Sequence, residues 1–167
     1  MKILVVSDSH GKHETLFRVF RKEKDYGAVL HLGDVEGGEE EIRRELARIH
    51  PLIAFKAVPG NCDNAATREQ FFVYVYPKTG LRIFLTHGHL YHVNRGTELL
   101  LAAARRENCT MAFYGHTHRP AAETKDGVLL YNPGSIALPR GIERRPSYGI
   151  LTIDDESGET DVRTVFI

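Results

Sequence analysis

The sequence contains no tryptophan, two methionines and only two cysteines, Cys62 and Cys109. Two thiols are too few for a disulfide framework and suit a reducing compartment, so a cytoplasmic location is expected. Net charge is also absent, since 22 Lys and Arg residues balance 22 Asp and Glu residues. That balance argues against broad electrostatic capture of nucleic acid or an anionic membrane, and neither is an expected partner. No apolar run approaches the roughly 20 residues that span a bilayer. Asp8 and His10 cut the opening apolar run too early for a secretory signal. Repeats, low-complexity tracts and linker-like stretches are missing as well, so one domain over residues 1–167 is expected.

What is present is a series of short apolar runs that stop at polar, glycine-marked exits. Ile3–Val6 is rich in β-branched residues and ends at Ser7-Asp8-Ser9-His10-Gly11, which reads as a strand buried on both faces. Lys12–Lys24 follows as an amphipathic helix with Leu16, Phe17 and Phe20 on one face and Val19 alongside. Ala28–Leu32 is a second strand, closing on Gly33-Asp34, and Glu39–Ile49 a second helix with Ile42, Leu46 and Ile49 as its apolar positions. Leu52–Val58 is a third strand that runs into Pro59-Gly60-Asn61-Cys62-Asp63. Strand, helix, strand, helix, strand favours a parallel layout whose carboxyl edge holds the ligands. Beyond it, Phe71–Tyr76 with Leu81–Thr86 and Ala121–Thr124 with Val128–Tyr131 read as hairpins. Between them, Thr97–Glu107 is helical, with Leu100, Ala103 and Ala104 inward, and Met111–Tyr114 is a core strand. Tyr148–Ile153 and Thr160–Ile167 complete a mixed α/β domain of two face-to-face sheets with helices outside.

Seven residues at the exits have ligand chemistry: Asp8, His10, Asp34, Asn61, His87, His116 and His118. Asp and Asn are common in turns, but histidine is not a turn former, and four histidines in equivalent places need another reason. Seven N/O donors exceed one tetrahedral ion and match two ions sharing a carboxylate. Imidazole with carboxylate suits Mn, Ni, Fe, Co or Zn rather than Ca, and availability and geometry choose among these ions; manganese is taken as the expected occupant without being read from the ligands. Paired ions clamp the entering and departing oxygens of a phosphoryl transfer and make hydroxide available near neutral pH. The expected activity is therefore metal-dependent hydrolysis of a phosphate ester.

The order Asp8-x-His10, Gly33-Asp34, Gly60-Asn61-x-Asp63, strand-terminal His87 and Gly115-His116-x-His118 resembles the calcineurin-like metallophosphoesterase superfamily over roughly Met1 to Ser135. The stretches Pro59–Asp63, Thr86–His89 and Asn132–Ser135 resemble its small bacterial and archaeal phosphodiesterase branch. The resemblance implies a four-layer αββα sandwich and a binuclear centre. One ion would lie among Asp8, His10, Asp34 and His118; the other would lie among Asp34, Asn61, His87 and His116, with Asp34 bridging. A small phosphodiester would be attacked by the bridging hydroxide, while Asn61 and His116 orient a phosphoryl oxygen. Phosphomonoesterases of the superfamily carry histidine where this chain has Cys62, as the phosphodiesterase branch does. A phosphomonoesterase or nucleotidase is the nearest alternative. A scaffold of the same fold, like a eukaryotic retromer subunit that the pattern also resembles, is the rival from another class.

Cys62 reads first as a small side chain beside the metals, with proton donation to the leaving group as its catalytic alternative. His89, two residues after His87, could face the phosphate or only pack locally. Asp63 is expected to support its loop or a histidine, and Asn132, Gly134 and Ser135 to support the metal site from beneath. His31 reads as a hydrogen-bonded core histidine; His13, His50 and His92 read as surface or loop residues. Arg140, Arg144 and Arg145 read as a solvated loop, with steering of an anion as the alternative. Selectivity is expected from loops Tyr91–Gly96 and Ala137–Pro146, and a dimer or tetramer is compatible with the aromatic strand Phe71–Tyr76.

Overall fold

The computed structural model describes residues 1–49, 51–64 and 69–167. Strand β1 (Lys2–Val6) lies between β2 (Ala28–His31), which runs parallel to it, and β9 (Ser147–Ile153), which runs antiparallel. With β3 (Ala54–Ala57) beyond β2 and β10 (Thr160–Phe166) beyond β9, they form a five-stranded mixed sheet, ordered β10-β9-β1-β2-β3. The central place of β1 explains its uninterrupted apolar run, since Ile3 to Val6 are wholly buried and have cover on both faces. The second sheet runs β4-β5-β6-β8-β7. It contains the two hairpins, β4 (Phe71–Val75) with β5 (Arg82–Thr86) and β7 (Pro120–Lys125) with β8 (Val128–Pro133), joined through β6 (Met111–Phe113).

Three apolar clusters define four layers. Ile3, Val5 and Leu30 from the first sheet meet Ile83, Leu85 and Phe113 from the second in the inner core. On the outer face of the first sheet, Leu4, Val6 and Val29 pack against α1 (Glu14–Lys22) and α2 (Glu39–Ile49) through Leu16, Phe20, Ile42 and Leu46. On the outer face of the second, Phe84, Ala112 and Leu130 receive α3 (Glu98–Arg106) through Leu100 and Ala104. The architecture is the αββα sandwich that the motif resemblance implied.

Several local expectations need correction. Helix α1 is shorter than Lys12–Lys24, because His13 serves as its N-cap and Glu23 has already turned extended. Strand β3 covers only Ala54–Ala57 of the expected Leu52–Val58, and Leu52 is exposed. Ile49 is exposed at the end of α2, whereas Glu45 is buried beside it. Glu45 can be buried because Arg21 of α1 reaches across to it, with Nε donating at 2.9 Å. Ala103 is only half-buried. His13 is not a surface residue: it is buried, its ring nitrogen Nε2 donating to Gly37 O at 3.1 Å. His92 is exposed in its loop, and His50 lies outside the described residues. Strand β4 is an edge of its sheet, half-buried along most of its length.

Candidate metal centre

The exits of β1, β2, β5 and β6 are stitched together by backbone hydrogen bonds. Asp8 N–H donates to Gly33 O at 3.0 Å, His10 N–H to Asp34 O at 2.9 Å, and Gly115 N–H to His87 O at 3.0 Å. Gly60 and Gly115 permit this crowding. A Cβ on Gly60 would fall 2.0 Å from Asp34 Oδ1, and one on Gly115 would fall 1.9 Å from Ser7 Oγ. Asp8, His10, Asp34, His116 and His118 all adopt left-handed backbone, with φ between 47° and 66°. That conformation is uncommon outside glycine, costs about 1–3 kcal/mol per residue, and collects where side chains must be aimed at a site.

The aim is convergent. One oxygen or nitrogen from each of Asp8, His10, Asp34 and His118 falls within 4.8 Å of the others. His118 Nε2 is 3.2 Å from Asp8 Oδ1 and 3.3 Å from His10 Nε2, and His10 Nε2 is 3.7 Å from Asp34 Oδ2. His87 Nε2 approaches from the other side, 3.4 Å from Asp34 Oδ2, 4.0 Å from Asp8 Oδ1 and 3.1 Å from Asn61 Oδ1. His87 thus joins the same group through two carboxylates, Asp34 and Asp8. His116 sits beside it, its ring centroid 5.2 Å from that of His87, with Nε2 held by the Asn94 amide at 2.8 Å.

Hydrogen bonding on the far side of each ring makes these contacts informative. His87 Nδ1 donates to Leu32 O at 2.7 Å, and His118 Nδ1 to Leu138 O at 2.6 Å. His10 Nδ1 is 3.2 Å from Glu36 Oε1. Each ring spends its N–H outward, so in the neutral ring Nε2 presents a lone pair inward, as metal-ligating histidines do. Neutral rings facing carboxylate oxygens at these distances repel them, so the arrangement calls for positive charge there, a proton on the ring or a metal ion between the groups. Both oxygens of wholly buried Asp8 have no hydrogen-bond partner, an orphaning that bound cations would relieve. The donor set therefore fits divalent transition ions. Burial opposes the charge on Asp34, yet the His87 ring and the Cys62 N–H, 2.8 Å from Oδ1, hold its carboxyl well below the usual range. Burial likewise opposes protonation of His87, but Asp34 and Asp8 raise its pKa.

Supporting contacts surround this group. Asp63 accepts the Gly60 N–H at 2.8 Å and the Glu36 N–H at 2.7 Å, so it braces two loops rather than a histidine. Asn132 Nδ2 donates to Gly115 O at 2.8 Å and Ser135 Oγ to Asp8 O at 2.8 Å, beneath the exits. His31 is buried, donating to Ser9 Oγ through Nε2 at 3.1 Å and accepting the Gly33 N–H at Nδ1. Cys62 is exposed at the mouth with Sγ near Asn61 Nδ2, and His89, in a single 3-10 turn (His89–Tyr91), is half-buried 5.4 Å from the His87 ring. Asn94 and Glu36 carry no sequence signal of their own. Only the fold reveals that they bind His116 and His10.

A family model described as the calcineurin-like phosphoesterase superfamily domain matches residues 1–156. The chain belongs to this superfamily. Phosphodiesterase YfcE of Escherichia coli K12 is 33% identical over 177 residues, covering 92% of this chain and 89% of that one. Among solved structures, a predicted phosphoesterase from Streptococcus pneumoniae TIGR4 superposes with a TM-score of 0.76 at 28% identity, over 98% of this chain and 97% of the other. Vps29 from Entamoeba histolytica reaches a TM-score of 0.75 at 24% identity, over 100% and 99% of the two chains, a likeness of fold alone. Family membership makes phosphoesterase chemistry with divalent metals the activity class of this chain, and its Asp–His cluster is where such a metal fits. No described helix is long and apolar enough to cross a membrane.

Proposed function

We propose that the chain is a single-domain binuclear phosphodiesterase acting in the cytoplasm on a small phosphodiester. The observation that carries the reading is the facing of imidazole lone pairs and carboxylates on both sides of Asp34. Asp8, His10, Asp34 and His118 would hold one ion and Asp34, Asn61, His87 and His116 the other. When bound, the pair would supply Lewis-acid charge and a nucleophilic water at neutral pH, with manganese the expected occupant and Ni, Fe, Co or Zn the alternatives.

The protein's own groups have separable tasks. Asp34, kept ionised by its neighbours, divides its charge between the two halves. Asn61, exposed at the rim, and His116, held by Asn94, would orient a phosphoryl oxygen. The outward N–H bonds of His87 and His118 lock their ring orientation, which saves reorganisation when charge develops. Cys62 has its thiol pKa pushed up to about 12 by desolvation and the neighbouring Asp34 and Glu36. In that state it can give a proton to a leaving oxygen but not attack. His89 is near enough to contact the substrate side of His87 and His116.

Identity to the YfcE phosphodiesterase and the cysteine at position 62 favour a diester over a monoester. A panel of cyclic nucleotides, linear diesters and monoesters with Mn, Ni, Co, Zn and Mg tests reaction and metal together. The expected result is metal-dependent turnover that prefers diesters; strong preference for the monoester of the same leaving group would overturn it. The likeness in fold to Vps29 supports a protein-binding scaffold as the second reading. Purified protein with no bound transition metal, and no hydrolysis after Mn is added, would favour that scaffold.

A further inference from the structure

A cavity of about 830 Å³ is lined by residues that the catalytic reading does not use. Its lining brings together Arg119, Arg140, Arg144 and Arg145, with Glu143 as its one carboxylate. Sequence separates Arg119 from the other three by about twenty residues, and only the fold joins them. The cavity shares backbone with the metal cluster: Arg119 follows His118 directly, and the Arg140 N–H donates to His118 O at 3.0 Å. His118 in turn donates to Leu138 O, so the arginine loop and the cluster are held by one histidine.

What sets these guanidiniums apart is that four of them line one space; Arg18, Arg44, Arg95 and Arg106 also have no side-chain partner among the described residues, but none of them lines the cavity. Arg21, Arg43 and Arg105 each hold a carboxylate, Glu45, Glu39 and Asp126 respectively. Among the described residues, the side chains of Arg119, Arg140 and Arg144 have no hydrogen bond or ion pair. The loop carrying three of the four is nevertheless tied in place. Arg144 holds a left-handed φ of 47° with its N–H on Gly141 O at 3.1 Å, and Ile167 N–H donates to Pro146 O at 2.9 Å. Arg145 donates to Ile167 O, and its guanidinium carbon lies 5.9 Å from the Phe166 ring centre. A concave site of this volume suits a nucleotide-sized molecule. Several guanidiniums around one space match a doubly charged phosphate, which each fork can grip with two donors. Phe166 adds an apolar wall for a sugar or base.

We infer that this cavity is an anion subsite receiving a second phosphate of the substrate, so the favoured substrates are small phosphodiesters that carry a further phosphate group. The inference rests on the phosphodiesterase reading and specifies its substrate class. The cavity joins the cluster through His118, whose carbonyl accepts the Arg140 N–H and whose chain neighbour is Arg119. A neutral-armed diester would leave the arginines without a partner.

The test compares two esters with one scissile bond and leaving group: thymidine 5′-(p-nitrophenyl phosphate) and its 3′-phosphorylated form. With Mn supplied, the wild-type chain should favour the phosphorylated form in kcat/KM by about 10–100-fold at low salt, mostly through KM, as one or two charged hydrogen bonds allow. The double variant R119A/R144A should bring that ratio towards one, and added salt should do the same to the wild type. A wild-type ratio near one, or a variant that lowers both substrates alike, overturns the subsite. Preference seen only with an oligoribonucleotide assigns the cavity to nucleic acid and also overturns it. If neither ester is hydrolysed, the phosphodiesterase reading fails. Calorimetric titration of the metal-free protein with inorganic pyrophosphate then reads the cavity alone. Binding present in the wild type and lost in R119A/R144A supports the anion site, and equal or absent binding in both overturns it.

Discussion

His31 and His87 are both buried imidazoles, and their opposite behaviour shows what neighbours do to one chemical group. His31 has no adjacent carboxylate in contact, and burial lowers its pKa from the ordinary 6.5 to about 4. The unfolded chain therefore binds a proton between those values that the folded chain refuses. Stability is present in full above pH 6.5 and is lost as pH falls towards 4, by up to about 3 kcal/mol. Urea denaturation of the metal-free protein from pH 4 to 7 should show this acid loss, and His31→Gln should flatten it. An equally steep acid limb in the variant would mean that other groups carry it. Cys62 shows the same logic at the mouth of the site, where, in the metal-free protein, desolvation and acidic neighbours push the thiol pKa up. Cys62→Ala should leave metal content unchanged and lower diester turnover by less than about tenfold. A loss of about 1000-fold, some 4 kcal/mol of barrier, would make the thiol the proton donor.

Strand exits, rather than the strands themselves, carry the chemistry. Three of the exits, those of β1, β2 and β6, spend local stability on left-handed backbone at Asp8, His10, Asp34, His116 and His118. Parallel pairing of β1 with β2 and β5 with β6 sets the spacing between them. Gly60 closes the gap between the β3 exit and Asp34, where even a methyl group would strike the carboxylate and the Asp34 backbone nitrogen 2.4 Å away. Backbone cannot swing aside as a side chain can. Gly60→Ala is expected to retain its far-UV circular dichroism while weakening Mn binding about 100-fold or more in equilibrium dialysis. Unchanged Mn affinity would show that the exit tolerates the displacement of Asp34. The pair α1 and α2 is strapped separately through Arg21 and Glu45, away from these exits.

For the molecule as a whole, the proposed centre lies where the two sheets present their exits together. Ions held by Asp8 and His10 of one sheet and by His87 and His118 of the other would cross-link the sandwich only in the folded state. Free ion at about 1000 times its dissociation constant would then add about 4 kcal/mol of stability. In a chain of this size that corresponds to roughly 10 °C in Tm. Scanning calorimetry with Mn and then with excess EDTA should show this drop. Coincident transitions would mean that no ion bridges the sheets.

Element order and a mixed α/β domain of two packed sheets were legible in the linear pattern, because apolar runs of strand length alternate with charged helical stretches and stop at marked exits; the αββα class and the superfamily were legible only through the spaced Asp, Asn and His motifs and the resemblance they carry. Burial of His13 and Glu45 and exposure of Ile49 were not, since each depends on what a neighbouring element places opposite. Nothing in the Asn94 or Glu36 segments announces a histidine partner; that pairing comes from loops meeting across the site. The sequence alone determined which ligand-type residues end each strand. Tertiary structure alone decided which ring nitrogen faces inward, and that Arg119 joins Arg140 and Arg144 around one cavity. Spacing along a chain sets periodicity and turn chemistry, whereas hydrogen-bond partners and charge neighbours arise only between segments that packing brings together.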